Sequence, residues 1–235
     1  GRTLLALDRL PRSLVRVTVW EMKTTTLTRR VPGLILALFA VQFAAASAVS
    51  AAPAVTASTV QVEQALAAMR YDVGTVDGVI DARASSAIMA FQKVNGLPRT
   101  GQLTDAVAAQ IIGTRATPAP LVPNGGASRV EVDLSRQVLF LYEGNALTAI
   151  LPVSSGKAST PTPRGSFHFY RYDPGWTTSR LGQLYNAVYF FGGYAIHGSN
   201  SVPGEPVSHG CIRIPMSAAQ WFPSHVSTAT AVYVI

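Results

Sequence analysis

Apolar residues recur at helical spacing from residue 59 to residue 113 and at alternate positions from residue 129 onward. No single regular structure satisfies both periods, because side chains share a face every ~3.6 residues in a helix and every second residue in a strand. The chain therefore divides into a helical part and a β part. In "TVQVEQALAAMRYDVG" Val60, Val62, Ala65, Leu66 and Met69 fall on one helical face, with Thr59 as N-cap and Gly74 as stop signal. A "VDGVI" turn leads to "DARASSAIMAFQKVNG", capped by Asp81 and ended by Gly96, and Thr104 caps a third helix in "LTDAVAAQIIG". Residues 59–113 thus form a small all-α three-helix domain. The Pro-, Gly-, Ala- and Thr-rich stretch 114–128 has no apolar period and reads as a linker.

From Arg129 the pattern alternates. "RVEVDLS" sets Val130 and Val132 against charged neighbours. "QVLFLYEGNALTAILPVSSG" reads as strand, "EGN" hairpin turn and strand. "RGSFHFYRY", "LYNAVYFFGGYAIHG" and the closing "TATAVYVI" supply further strands, and "PMSAAQWFPSHV" a short helix. Residues 129–235 are expected to form a mostly antiparallel β domain, with His168 and His225 in structural or surface positions.

The net charge of +7 raises nucleic acid as a partner, so its location matters. Seven of the basic residues lie in the first fifty, against Asp8 and Glu21; the remainder of the chain carries twelve basic and ten acidic residues. The basic segment looks like an address, so no nucleic-acid partner is expected. "MKTTTLTRR" is a basic n-region, "VPGLILALFAVQFAAASAV" an apolar run, and "ASAVSAAPA" offers small-residue cleavage sites such as the one after Ala48. Residues 1–52 are expected to be an N-terminal extension and a signal peptide, with the start of translation at Met22. The rival reading is an uncleaved membrane anchor, since the apolar run approaches the ~20 residues that span a bilayer. Either way the protein is expected to be exported to the cell envelope, periplasmic or associated with the cell wall.

Export changes the meaning of the single cysteine, Cys211, which cannot form an internal disulfide in a compartment where most cysteines pair. It lies in "IHGSNSVPGEPVSHGCIRIP", beside two of the four histidines. A thiol becomes a useful nucleophile when a neighbouring imidazole or backbone dipole assists it. His197 ends a strand-like run and His209 sits two residues before Cys211, so a returning loop can bring an imidazole to the sulfur. Gly210 lets a substrate carbonyl approach the Gly210 and Cys211 N–H groups as an oxyanion hole. Burial of an inert thiol is the plain alternative. Zinc is the chemical rival, with His197, His209, Cys211 and Glu205 as ligand types, but "HGC" spaces two of them too closely for a usual zinc pattern.

At these residues a resemblance becomes specific. "IHG" followed by "SHGCIR", with "TP-x-G" at Thr162–Gly165, resembles the L,D-transpeptidase (YkuD-like) catalytic domain over 129–235. The "YDVGTVDGVID" and "AFQKVNGL" segments resemble a peptidoglycan-binding domain over 59–113. The first resemblance implies a YkuD-like β-sandwich fold, no cofactor or metal, and a Cys211 nucleophile. The donor would be a peptidoglycan stem tetrapeptide and the acceptor the side-chain amine of a second stem, giving a 3-3 cross-link. It implies His197 as base, oriented by the Gly198 carbonyl, and His209 as shaper of the loop, although which histidine takes the proton is open. Ser208 would hydrogen-bond within the loop. Arg213 would hold a stem carboxylate or brace the loop. Water as acceptor would make the protein an L,D-carboxypeptidase, and a third reading is an inactive wall-binding protein. The His197–Ser208 interval is short and contains Pro203 and Pro206, so a stiff loop is expected and the lid over the substrate is left open.

Overall fold

The computed structural model describes residues 57–235; the leader or anchor read in residues 1–52 lies outside them. Three helices come first: α1 (Thr59–Ala68), α2 (Ala82–Val94) and α3 (Asp105–Gly113). Asp81 accepts from the Arg83 and Ala84 amides and Thr104 from Val107, so both expected caps are in place. The first cap differs from expectation. Ser58, not Thr59, forms a capping box with Gln61, because Thr59 turns its hydroxyl to the Gly78 carbonyl at 2.7 Å. That bond, with the buried Glu63 carboxylate accepting the Asp77 and Gly78 amides, pins the "VDG" turn to α1.

Nine strands follow: β1 (Arg129–Asp133), β2 (Val138–Glu143), β3 (Ala146–Pro152), β4 (Gly165–His168), β5 (Arg171–Ser179), β6 (Gly182–Phe191), β7 (Tyr194–Ser199), β8 (Ile212–Pro215) and β9 (Ala231–Val234). They build two sheets, ordered β3-β2-β1-β9-β4 and β5-β6-β7-β8. Pairing is mostly antiparallel, but β1 with β9 and β7 with β8 run parallel. The "EGN" turn joins β2 to β3 with Gly144 and Asn145 both at positive φ, which matches the right-handed twist of the strands it links. Helix α4 (Met216–Trp221) and a 3₁₀ turn (Phe222–His225) follow β8, as the sequence suggests.

The sequence conceals most of β5: "RGSFHFYRY" reads as one strand, but it divides into β4 and the first residues of β5, which lie in different sheets. Pro174 and Gly175 interrupt the pattern of β5, and the strand accommodates them with a bulge between Asp173 and Trp176 at the sheet edge.

Between the sheets lies a core of Val130, Val132, Leu139, Leu141, Ile196, Ile212, Ile214 and Val232, closed by Phe222 and the alanines of α4. The other face of the five-stranded sheet is not open to water. Val138, Phe140, Tyr142 and Ile150 join Leu66, Ile88, Phe91 and Ile111 of the helices in a second core. This cover reaches the charged residues that alternate with Val130 and Val132 in β1. Arg129 and Glu131 are buried, paired at 2.7 Å, with the guanidinium 3.7 Å above the Tyr142 ring. Glu131 also accepts the Leu121 amide at 2.7 Å, and Arg129 donates to the Gly126 carbonyl, so the pair straps the 114–128 segment to β1.

Because removal of one member of a buried pair strands the other charge, Glu131→Leu should destabilise the protein by about 3–5 kcal/mol. Joint replacement with Arg129→Met should recover most of that loss. Urea denaturation of the three proteins measures both.

Candidate active site

The four-stranded sheet sorts its side chains by alternation. Ile196, Ile212 and Ile214 point into the inter-sheet core, and Ala195, His197, Cys211 and Arg213 therefore point to the opposite face. The parallel register sets His197 directly across from Arg213, with Cys211 one residue before β8. In β6 a bulge with Asn186 at φ 48° resets the alternation. Leu184, Ala187 and Tyr189 thereby share the face of Cys211 and pack beside it. Leu184 and Tyr189 line a cavity of about 510 Å³, together with His197, His209, Cys211 and Arg213. Its far wall is the β5–β6 hairpin tip, Ser179–Leu184. Part of the cavity wall is thus contributed by the hairpin whose first strand the sequence hides.

Within the "SHGC" turn several backbone groups have side-chain partners. The buried Ser208 hydroxyl donates to the Cys211 carbonyl at 2.5 Å and accepts the Gly210 amide at 3.0 Å. Thr162 donates to the Gly210 carbonyl at 2.8 Å and accepts the Gly156 amide at 2.9 Å. Ser208 therefore ties two backbone groups of the turn together. Thr162, noted in the sequence only as part of a motif, is a second brace. Gly210 sits at φ 117°, and a Cβ there would lie 2.5 Å from the Tyr194 ring. Its amide, expected in an oxyanion hole, is engaged by Ser208. The Cys211 amide, the other member of that expected pair, has no side-chain acceptor among the described residues.

His197 is buried, and its Nδ1–H donates to the Gly198 carbonyl at 2.9 Å. A carbonyl only accepts, so Nε2 is the ring nitrogen able to take a proton. Gly198 has no room for a side chain: a Cβ would meet Ala219 at 2.7 Å and Met216 at 3.1 Å. His209 is exposed on the cavity rim. Among the described residues no group of three His, Cys, Asp or Glu side chains is arranged to hold a metal ion.

Burial pushes the Cys211 thiol up from its ordinary value, against the Ala195 N–H and the Arg213 charge, which favour the thiolate. Burial likewise pushes the His197 imidazole down; the Gly198 bond opposes this and Arg213 adds to it. The resting pair is therefore a thiol beside a neutral imidazole, rather than the preformed thiolate that an imidazolium would stabilise. Such a pair can act by transferring the thiol proton to Nε2 as the sulfur attacks. Arg213 is half-buried and is in no ion pair among the described residues, which leaves a cation available to an anionic ligand.

Two family models match the chain. The L,D-transpeptidase catalytic domain (YkuD) covers residues 127–234, and the "Putative peptidoglycan binding domain" covers residues 56–111. The crystal structure of an L,D-transpeptidase from Xylanimonas cellulosilytica is similar to this one. It has a TM-score of 0.69 and 31% sequence identity, and the match covers 76% of this chain and 93% of that one. A protein of Bacillus licheniformis named "Putative L,D-transpeptidase YkuD" is 36% identical over 91 residues. That match takes in 37% of this chain and 52% of the relative, about half its length.

Cys211 is the only thiol, so alkylation reports on it alone. Labelling by iodoacetamide should be slow at neutral pH and rise only in the alkaline range. Arg213→Gln should move that rise to still higher pH, because it removes a charge that favours the thiolate. Intact-protein mass spectrometry across a pH series measures both curves.

Proposed function

This chain belongs to the L,D-transpeptidase family, and from that premise we propose that it forms 3-3 cross-links in peptidoglycan through an acyl-enzyme on Cys211. The observation that carries the reading is the placement of His197 and Cys211 on one sheet face, in one cavity, with His197 Nδ1 tied to the Gly198 carbonyl.

The Cys211 sulfur attacks the carbonyl that precedes the terminal D-alanine of a tetrapeptide stem, and Nε2 of His197 takes the thiol proton. Negative charge develops on the carbonyl oxygen, where the Cys211 amide is the available backbone donor. As the C–N bond breaks, His197 returns the proton to the departing D-alanine amine, leaving a thioester. The side-chain amine of a second stem then attacks the thioester carbonyl and His197 accepts its proton. Collapse expels the sulfur, which regains that proton from His197. With water in place of the amine the same steps release a tripeptide, which is the L,D-carboxypeptidase reading.

Arg213 and Arg180 line the cavity and no carboxylate does, an arrangement suited to the carboxylate of a stem peptide. His209 at the rim shapes the entrance and its electrostatics. The helical region serves as the attachment to the insoluble polymer, raising the local concentration of stems. Peptidoglycan lies outside the cytoplasm, which accords with an export signal in the leader. No helix among the described residues is long and apolar enough to cross a membrane.

Purified tetrapeptide incubated with the wild-type protein should yield D-alanine, an acyl adduct on Cys211 and a cross-linked dimer, whereas Cys211→Ala should yield none. Release of D-alanine by the alanine variant would overturn the assignment, and a tripeptide without dimer would establish water as the acceptor. The pH profile carries a second expectation. A base depressed below its ordinary value stays neutral to lower pH, so kcat/KM should hold through pH 6.5 and fall only below it.

A further inference from the structure

Between β7 and β8 the chain crosses from Asn200 to Val207 without regular structure. Most of the bonds that direct this crossing come from outside the four-stranded sheet. The Pro203 carbonyl accepts from Lys93 Nζ at 3.1 Å, and the Gly204 carbonyl from Arg99 Nη1 at 3.0 Å. Ser154 holds the next stretch, donating to the Glu205 carbonyl and accepting the Val207 amide. Each of the two cations has a second hold on the β domain. Lys93 donates to the Val153 carbonyl at 2.7 Å, and Arg99 to the Ser135 carbonyl at 3.1 Å.

Both cations belong to the helical region, Lys93 in the last turn of α2 and Arg99 just beyond it. Lys93 is completely buried and is in no ion pair among the described residues. Burial and the neighbouring Arg99 push its ammonium down to about 7, with Glu205 acting the other way. An apolar side chain would serve helix packing at this position without that desolvation penalty. The contact with Gly204 is equally demanding, since a Cβ there would lie 2.8 Å from Arg99 Cβ and 3.0 Å from its carbonyl.

We infer that Lys93 and Arg99 are positioning residues for the reaction at Cys211, holding the loop that joins His197 to Cys211 from the helical region. The inference rests on the reading of Cys211 as nucleophile for its catalytic consequence, though not for the anchoring itself. The loop ends at Ser208, whose hydroxyl sets the Gly210 and Cys211 backbone. A shift of the crossing is thereby passed to the sulfur, and displacements near 1 Å can cost ~10²-fold in rate. The helical region is then a working part of the site as well as an attachment.

Lys93→Met, Arg99→Ala and Arg99→Lys in the full chain test this by three measurements. Hydrogen exchange of the segment 200–207 should quicken about tenfold or more in Lys93→Met and Arg99→Ala. Their kcat for D-alanine release should fall about tenfold or more with KM near wild type, and Arg99→Lys should recover part of the loss. Co-sedimentation with purified peptidoglycan should be unchanged in all three. Unchanged exchange or unchanged kcat overturns the proposal, and so does a fall in activity that only tracks lost sedimentation. Arg99 is half-buried, so Arg99→Ala carries the test if Lys93→Met fails to fold. If the wild-type protein releases no D-alanine, the reading of Cys211 fails, while hydrogen exchange still decides the anchoring.

Discussion

The parallel pairing of β7 with β8 is the constraint on which the site depends. Antiparallel neighbours can be joined by a two-residue turn, but parallel ones need a crossover, commonly of a dozen or more residues and built around a helix. Here twelve residues, Asn200 to Cys211, make the crossing with no helix. The connection is close to its minimum length and supplies little secondary structure to support itself. Its course is set instead by Lys93 of α2, by Arg99 just beyond that helix and by Ser154 just beyond β3. The parallel register then places His197 opposite Arg213 and leaves Cys211 at the mouth of β8, on the face turned away from the core.

That placement accounts for the electrostatic character of the pair. A face packed by Leu184, Ala187, Tyr189 and Ala195 desolvates Cys211 on one side. Desolvation favours the neutral form of both members, raising the thiol and lowering the imidazole. Arg213 favours thiolate and neutral imidazole alike, so it lowers the barrier to forming the anion without protonating the base. The site is therefore arranged to generate its charge during the reaction, with the cation already in place, and it resembles a serine–histidine pair in that respect more than a resting ion pair.

Much of this was legible in the sequence, because the relevant signals are local. Helical periods and caps located α2 and α3, alternation located most strands, and the grouping of "IHG" and "SHGC" pointed to one loop. What was hidden depended on contacts between distant segments. The charges at Arg129 and Glu131 look like a solvent face until α1 to α3 cover it, and an alternating strand carries no mark of what lies above it. Pro174 and Gly175 argue locally against β5, yet an edge strand tolerates them through a bulge. The engagement of the Gly210 amide by Ser208, and the reach of Lys93 to Pro203 across 110 positions of sequence, leave no local pattern at all.

The second core has a consequence for how the chain can be divided. Val138, Phe140, Tyr142 and Ile150 are buried because the helices lie on them, and the Arg129–Glu131 pair is shielded by the same cover. The outer surface of the five-stranded sheet is thus an internal surface of the whole. A β domain cut free at residue 128 would present a contiguous apolar face, with an ion pair newly wetted at its edge, and such faces drive association in water. In the same cut Pro203 and Gly204 would lose two of the donors that hold the crossing. The boundary between helical and β sequence is clear in the amino-acid pattern, but it is not a line along which the folded protein comes apart.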